Sequence, residues 1–310
     1  MTLVDGGDAY SSFALPVPIP YPPNTNLSSY QGYTNGLAFG AATNVQLQSI
    51  GGLREANVQS GDIPLPRLDG AAPGFNPFVE RTLTLTFQAF NPTVPFETVL
   101  EAITAAFQPV ADPAGLQLLK FLLPGWPSAR QVMGRTTKGA IPIDTNYQYN
   151  VATVAVEFTC PDPLIYNSLP MVASSKLPSP TAGLTFPATP NFVFGASTGG
   201  SFQLTNNGNY PAPMVFTIYG PVTNPVLSLG SLSLGFALAL GASDVLVIDT
   251  HPQVRSATLN GAASRAGSII TGSTWLQLPI GTSSIGVASS DSAPVAAVFQ
   301  GSVADAWGFM

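Results

Sequence analysis

A chain of 310 residues can bury two cores of ordinary domain size, and only 8% of its residues are charged, against about 25% in an average soluble protein. Residues 1–167 hold 12 acids and 7 bases, net −5; residues 168–310 hold 4 acids and 3 bases, net −1. Neither half has the clustered Lys and Arg that a duplex binder needs to displace counterions, so a nucleic-acid grip is excluded. Solubility rests on neutral polar groups, as in an ordinary protein or in a subunit packed against copies of itself, and composition leaves both open.

The lone Cys160 rules out an intramolecular disulfide. No Lys or Arg precedes Arg54, so the start lacks the basic region of a secretory signal, and the chain is expected to be made and kept in a cell's cytoplasm. Residues 1–32 read as a proline-rich arm: Ala14 to Asn24 runs ALPVPIPYPPN, a tract that favours extended polyproline geometry and cannot join a central strand. Tyr10, Tyr21 and Tyr30 favour docking of this arm over free solvation. The triplet Asn26-Leu27-Ser28 matches a glycosylation acceptor by chance, given no secretion.

Leu37 and Phe39, then Val45, Leu47 and Ile50, read as two short strands or one bulged strand. Arg54 to Asn76 is a long polar connection, and a loop of that length in a compact domain is a working part. Thr82 to Phe90 alternates Leu83, Leu85 and Phe87 with Thr82, Thr84, Thr86 and Gln88, which predicts a strand with one buried face. After Pro92 comes one helix, with Pro95 in its first turn, Glu97 near the positive dipole end, and Val99, Leu100, Ile103 and Phe107 in a stripe before Pro109. Leu116 to Leu123 is an apolar strand closed by Pro124-Gly125, and Gln131 to Lys138 a short polar segment. Val154, Val156 and Phe158 mark a further strand over Val151–Phe158; Pro161 and Pro163 cannot donate to a ladder, so the sheet is expected to close there.

A domain boundary falls after Tyr166, since no charged residue occurs between Lys176 and Asp244 while most charge lies earlier. Residues 33–167 form one domain and 168–310 another, with the Pro-, Ser- and Thr-rich stretch from Asn167 to Pro190 as a linker or outer strand. Beyond it short strands are predicted at Phe192–Phe194, Phe202–Thr205, Met214–Tyr219, Val226–Leu229, Leu232–Leu240, Val245–Asp249, Ala257–Leu259, Trp275–Leu278, Ser284–Ala288 and Val295–Phe299. Asn207-Gly208, Asn260-Gly261 and Ile280-Gly281 supply turns. The fold class is mainly β: an N-terminal barrel or sandwich with one helix, then a jelly-roll, galectin-like sandwich. The apolar run Leu232 to Ala242 is too short to span a membrane.

His251, Asp249 and Ser256 are too close along the chain to converge as nucleophile, base and orienter, and His251 reads as a turn histidine before Pro252. One His and one Cys make no zinc set, the acids lack calcium-loop spacing, and Gly134 and Gly199-Gly200 lack the context of a phosphate cradle. No catalytic, cofactor-binding or metal-binding residue is assigned. Trp126, Trp275 and Trp307 could stack on sugars in a groove, though core packing is the commoner role of such residues.

The series GLREANVQSGDIPLPRLDG, ERTLTLTFQAF, the helix, LQLLKFLLPG, VMGRTTKG and VAVEFTCPDPLIY resembles, in that order, the N-terminal domain of the distal tail protein of long-tailed bacteriophages. LVIDTHPQVRSATLNGA followed by TWLQLPIGTSSIGV is similar to the closing strands of the jelly roll appended in minor tail proteins of actinobacterial phages. The resemblance covers about Tyr33 to Met310 and leaves the arm unmatched. It implies a structural virion protein, not an enzyme, made in the host cytoplasm. Its copies form a ring, usually of six, at the distal end of the tail. N-terminal domains line the bore, where DNA passes without specific binding, and jelly rolls project outward. Implied partners are the chain itself, the tail tube protein, the tail-tip hub, and receptor-binding proteins or a cell-surface glycan, with no membrane insertion. A second reading from the residues is a carbohydrate-binding module or adhesin using the C-terminal tryptophans. A third, a glycosidase, would need paired carboxylates, and Asp244, Asp249, Asp291 and Asp305 show no pairing.

Overall fold

The computed structural model describes residues 31–40, 43–55, 57–65, 69–90, 95–109, 115–178, 200–291 and 295–309. The arm up to residue 30, Phe192–Phe194 and residues 179–190 of the stretch from Asn167 to Pro190 lie outside them. The chain divides into two compact units, an N-terminal one reaching Leu169 and a C-terminal one over Pro170–Ala306, with Trp307–Met310 returning to the first. No helix among the described residues is long and apolar enough to cross a membrane.

In the N-terminal unit, β1 (Gln31–Thr34), β2 (Leu37–Gly40), β3 (Val45–Gly51), β4 (Ile63–Pro64), β5 (Ala71–Ala72) and β6 (Arg81–Phe90) precede α1 (Phe96–Ala106). There follow β7 (Gln117–Leu122), β8 (Arg130–Ala140), β9 (Val151–Cys160) and β10 (Ile165–Asn167). The main sheet runs β2-β1-β7-β8-β9-β6-β3, so its two end strands are consecutive in sequence and the sheet curls round one core. Asn35 and Gly36, both at positive φ, make the tight turn from β1 to β2. The alternation read from sequence holds: Leu83, Leu85, Phe87 and Ala89 of β6 and Ala152, Val154, Val156 and Phe158 of β9 are buried. Phe87 meets Phe39 of β2 edge-on at 5.1 Å and Phe107, just past α1, at 5.2 Å. The helix thus lays the stripe of Val99, Leu100 and Ile103 on that core. β3 pairs with β6 through a bulge between Leu47 and Ser49.

Two expectations need correction. The polar Gln131–Lys138 segment is part of the longest strand, β8, whose Gly, Thr, Arg and Lys hide it from a propensity reading. The prolines after Cys160 end β9 but do not close the sheet: β10 pairs with β8 at Tyr166↔Gln131, resuming along the edge that β9 has left. Asp162 builds the intervening turn, its Oδ1 accepting from Leu164 N at 3.0 Å and its Oδ2 from the Tyr166 hydroxyl at 2.7 Å.

The C-terminal unit begins with β11 (Met171–Lys176), β12 (Ser201–Asn206), β13 (Ala212–Tyr219), β14 (Val222–Thr223), β15 (Val226–Leu229), β16 (Leu232–Gly235) and β17 (Ala239–Leu240). It continues with β18 (Val245–Asp249), β19 (Ser256–Leu259), β20 (Ala263–Ser264), β21 (Gln277–Leu278), β22 (Gly281–Ala288) and β23 (Val298–Val303). One sheet has the order β11-β23-β13-β18-β19-β20 with β21 beside β13; a second has β12-β22-β15-β16; β14 pairs with β17. The sheets face each other, since a Cβ on Gly301 of β23 would stand 2.6 Å from the ring of Phe202 in β12. Leu204, Phe216, Ile248, Ile285 and Phe299 fill the space between. The predicted Leu232–Leu240 strand is split, with Phe236 bridging to Ile269 between β16 and β17. β11 is an outer strand, paired with β23 alone.

The last strand, β24 (Ala306–Trp307), pairs with β10 and takes the chain end back to the N-terminal unit. The sequence had assigned these residues to the second domain. They go to the first because Gly308 and Trp307 find their partners there, as described below. The C-terminal unit is therefore inserted into the N-terminal one, where the sequence suggested an appended domain.

Gly134 of β8 tests the closeness of the inner packing, because a Cβ there would lie 2.5 Å from the Phe158 ring and 2.6 Å from Thr159 O. The backbone oxygen cannot move aside without breaking the ladder. Gly134→Ala is expected to cost about 1–3 kcal/mol, read as a lower urea midpoint at an unchanged slope; an unchanged midpoint would show that β8 and β9 are not held this close.

Candidate functional site

The long connection after β3 leaves the curled sheet as a two-stranded ribbon from Leu53 to Val79. It is held by Gln59 N→Pro77 O (2.9 Å), Val79 N→Asn57 O (3.0 Å) and the β4/β5 pair. Side chains replace the ladder where it is interrupted: Asn76 Oδ1 accepts from Gly61 N at 2.6 Å and Asp62 Oδ1 from Gly74 N at 2.8 Å. Glycine is required at both places, since a Cβ on Gly61 would meet Phe75 O at 2.3 Å and one on Gly74 would meet Gly61 O at 2.0 Å. Three of the ribbon's apolar side chains point to solvent, with Phe75 85%, Ile63 67% and Val58 54% exposed. None of these three belongs to the core cluster, which takes Leu53 at the ribbon's root. A lone two-stranded ribbon is marginal in water, and one that shows Phe and Ile is built to be covered.

A second outward loop, residues 141–150, lies between β8 and β9. Asp144 starts a single 3-10 turn, accepting from Asn146 N and Tyr147 N, and Asn150 ends it at φ 58°. Tyr147 anchors the loop on α1: its ring packs on Phe96 at 5.3 Å and its hydroxyl donates to Glu97, which raises its pKa. Ile143 and Tyr149 remain exposed at 81% and 72%.

The root of the ribbon is gripped by Arg81, a buried cation. Its Nε donates to Pro163 O (2.7 Å), its Nη1 is shared among Gly52 O (2.9 Å), Leu53 O (3.0 Å) and Glu55 O (2.7 Å), and its Nη2 donates to Gly308 O (2.6 Å). Burial lowers its pKa, yet a guanidinium stays charged under these conditions. Among the described residues the one salt bridge is Lys138–Glu157 at 3.6 Å, on the surface, so Arg81 is satisfied by neutral carbonyls. Beside it the terminal strand is clasped by a stack: Arg130 lies 3.7 Å over the Trp307 ring and 4.0 Å over that of Trp126. Neither arginine was singled out from sequence. For Arg81 the signal was present, as it keeps the inward phase of Leu83, Leu85 and Phe87.

The residues weighed for chemistry lie elsewhere and apart. Cys160 is buried, and burial pushes its thiol up to about 12, which makes it inert. Asp249 Oδ1 accepts from the His251 backbone N at 2.8 Å, its Oδ2 is buried without a partner, and His251 Nδ1 accepts from Gln253 N at 3.3 Å. The carboxylate therefore holds the turn and does not orient the imidazole. Among the described residues no three His, Cys, Asp or Glu side chains are grouped to hold a metal ion.

Residues 207–302 match the family described as siphovirus-type tail component, C-terminal domain. The matched residues lie within the C-terminal unit. In fold, the whole chain is similar to the Dit protein of phage SPP1, a paradigm of the hub adsorption apparatus in phages infecting Gram-positive hosts. The TM-score is 0.60 at 13% identity, covering 89% of this chain and 98% of that one. A chain of the phage P2 baseplate in its activated conformation with Ca gives a TM-score of 0.50 at 8% identity, covering 91% and 99%. At these identities the likeness is one of fold. None of the curated proteins matches in sequence. Both the family match and the fold support the resemblance to distal tail proteins drawn from the sequence.

In this tail component domain Asp249 carries a pH signature. Burial raises its pKa above the unfolded value of about 3.9, so its protonated form favours folding and that contribution fades as pH rises through the folded pKa. Asp249→Asn keeps the acceptor for His251 N and removes the buried charge. The variant should gain melting temperature over the wild type as pH is raised from about 4 to 7; parallel melting curves would show that the carboxylate is not desolvated.

Proposed function

We propose that this chain is a distal tail protein, closing with its copies into a ring of six at the end of a phage tail tube. There it joins the tube to the tail-tip hub. The observation that carries the reading is the ribbon Leu53–Val79, whose Phe75, Ile63 and Val58 are exposed and have no seat in the core among the described residues. A surface of that kind, contacting a different surface on the next copy, generates a closed ring when the rotation closes.

The other face of the sheet suits a bore. On β3, β6 and β9 the outward residues include Gln46, Gln48, Thr82, Thr84, Thr86, Gln88, Thr153 and Ala155, with Gln48 donating to Gln88 Oε1 at 3.1 Å, and the one acid in this phase, Glu157, is paired with Lys138 at 3.6 Å. DNA sliding past such a wall meets neither clustered cations to hold it nor a dense negative field. The C-terminal units, jelly rolls in this reading, project outward, where receptor-binding proteins or a cell-surface glycan are their partners. The virion's distal tail is the resulting location.

The rival sugar-binding reading loses its groove, because Trp307 belongs to the N-terminal unit with Arg130 over its ring, while Trp275 is half-buried in the other.

Light scattering at micromolar concentration should give a mass several times the 32.1 kDa of one chain, with a ring in negative stain. The double variant Phe75→Ser, Ile63→Ser should remain folded, losing no more than about 1 kcal/mol as an exposed substitution, and shift to monomer. A wild type that stays monomeric when tail tube protein is added would overturn the reading.

A further inference from the structure

The Arg81 junction joins two parts of the chain that lie far apart in sequence: the root of the ribbon and the residues around Gly308. Gly52, Leu53 and Glu55, whose carbonyls Nη1 holds, are where the chain departs from β3. That departure is fixed tightly, with Gly52 at φ +77° and so close to β6 that a Cβ would stand 2.0 Å from Thr82 O. The remaining contact, Nη2 to Gly308 O, spans 227 residues of sequence.

Without it, a buried cationic N–H is left with no acceptor, a costly state that the guanidinium relieves by turning towards water. Turning withdraws Nη1 from the three carbonyls at the ribbon's root. The stance of the ribbon and the seating of the tail are therefore linked, each favouring the other.

We propose that the seated segment of Trp307 and Gly308, acting through Arg81, sets the ribbon for assembly, so that a chain joins a ring only once that segment has docked. This rests on the ring reading for its consequence but not for its mechanism. The clasp of Trp307 on Arg130 and the β10/β24 pairing hold the tail in place, and the device requires nothing beyond them.

The test uses hydrogen exchange and light scattering on the wild type and three variants: Trp307→Ala, Arg81→Lys, and the chain ending at Ala306. The amides of Gln59, Gly61, Gly74 and Val79 should exchange at least tenfold faster in all three, while those of β6 and β9 keep wild-type rates. Each variant should assemble poorly at concentrations where the wild type is fully assembled. If the shortened chain loses protection everywhere, the two substitutions decide. Wild-type exchange in the ribbon of both would overturn the coupling, and a loosened ribbon with undiminished assembly would overturn the checkpoint. A wild type that never assembles would instead defeat the ring reading, while the exchange rates still decide the coupling.

Discussion

The N-terminal unit depends on one constraint, the burial of the Arg81 guanidinium among backbone carbonyls. In a chain with 8% charged residues, a buried cation is held by uncharged oxygens from three separate segments. The geometry explains the residue choice. Arginine offers five donors in a rigid fork and cannot shed its charge when buried, whereas a lysine would present three donors at one point and titrate. Carbonyls of Gly52, Leu53, Glu55, Pro163 and Gly308 would otherwise be orphaned acceptors at places where strands end, so one side chain satisfies what five irregular backbone positions need.

Seen from that junction, the sheet has two quite different faces. Inside, Phe39, Phe87 and Phe107 meet at just over 5 Å and leave room only for glycine at positions such as Gly134. Outside, along β3, β6 and β9, alternation places threonine and glutamine where a soluble protein commonly has lysine and glutamate. Period-two strands let these demands be met independently, so the inner face can be packed without regard to the outer one. The low charge that composition left ambiguous between an ordinary surface and a subunit contact thus has one visible contribution here, the threonines and glutamines of that sheet face.

How far the sequence revealed this depended on the range of the interaction. β6, β9 and α1 were legible because each carries its own periodicity, and the Leu53–Val79 ribbon because its length alone marked it. β8 was hidden by Gly134, Arg135 and Lys138, residues set by neighbours on another strand: Phe158 needs the glycine and Glu157 sits within reach of the lysine. β10 was hidden by the prolines before it, since nothing local tells that Asp162 will turn the chain back to β8. Arg81 could have been found from its phase in β6, where it shares the inward face of Leu83, Leu85 and Phe87. The seating of Trp307 and Gly308 has no local trace at all. Its partners Arg130 and Arg81 stand at separations beyond 170 residues, and a domain boundary read from composition assigns the segment to the other side.

That last miss changes the topology. When a domain is appended, the host domain is complete before it is made; when it is inserted, the host is closed only after it. Here Pro170–Ala306 leaves by β10 and returns by β24, and the two strands pair. A disordered insertion of that length would oppose the pairing through the entropy of closing the loop, a penalty that grows only slowly with length. A folded insertion that holds its two ends together removes most of it, which is why insertion succeeds where host termini are close. Stability of the C-terminal unit therefore contributes to docking of the tail, and docking of the tail to the Arg81 junction. A tail component built this way can vary its inserted unit widely, provided that the unit returns the chain to β10.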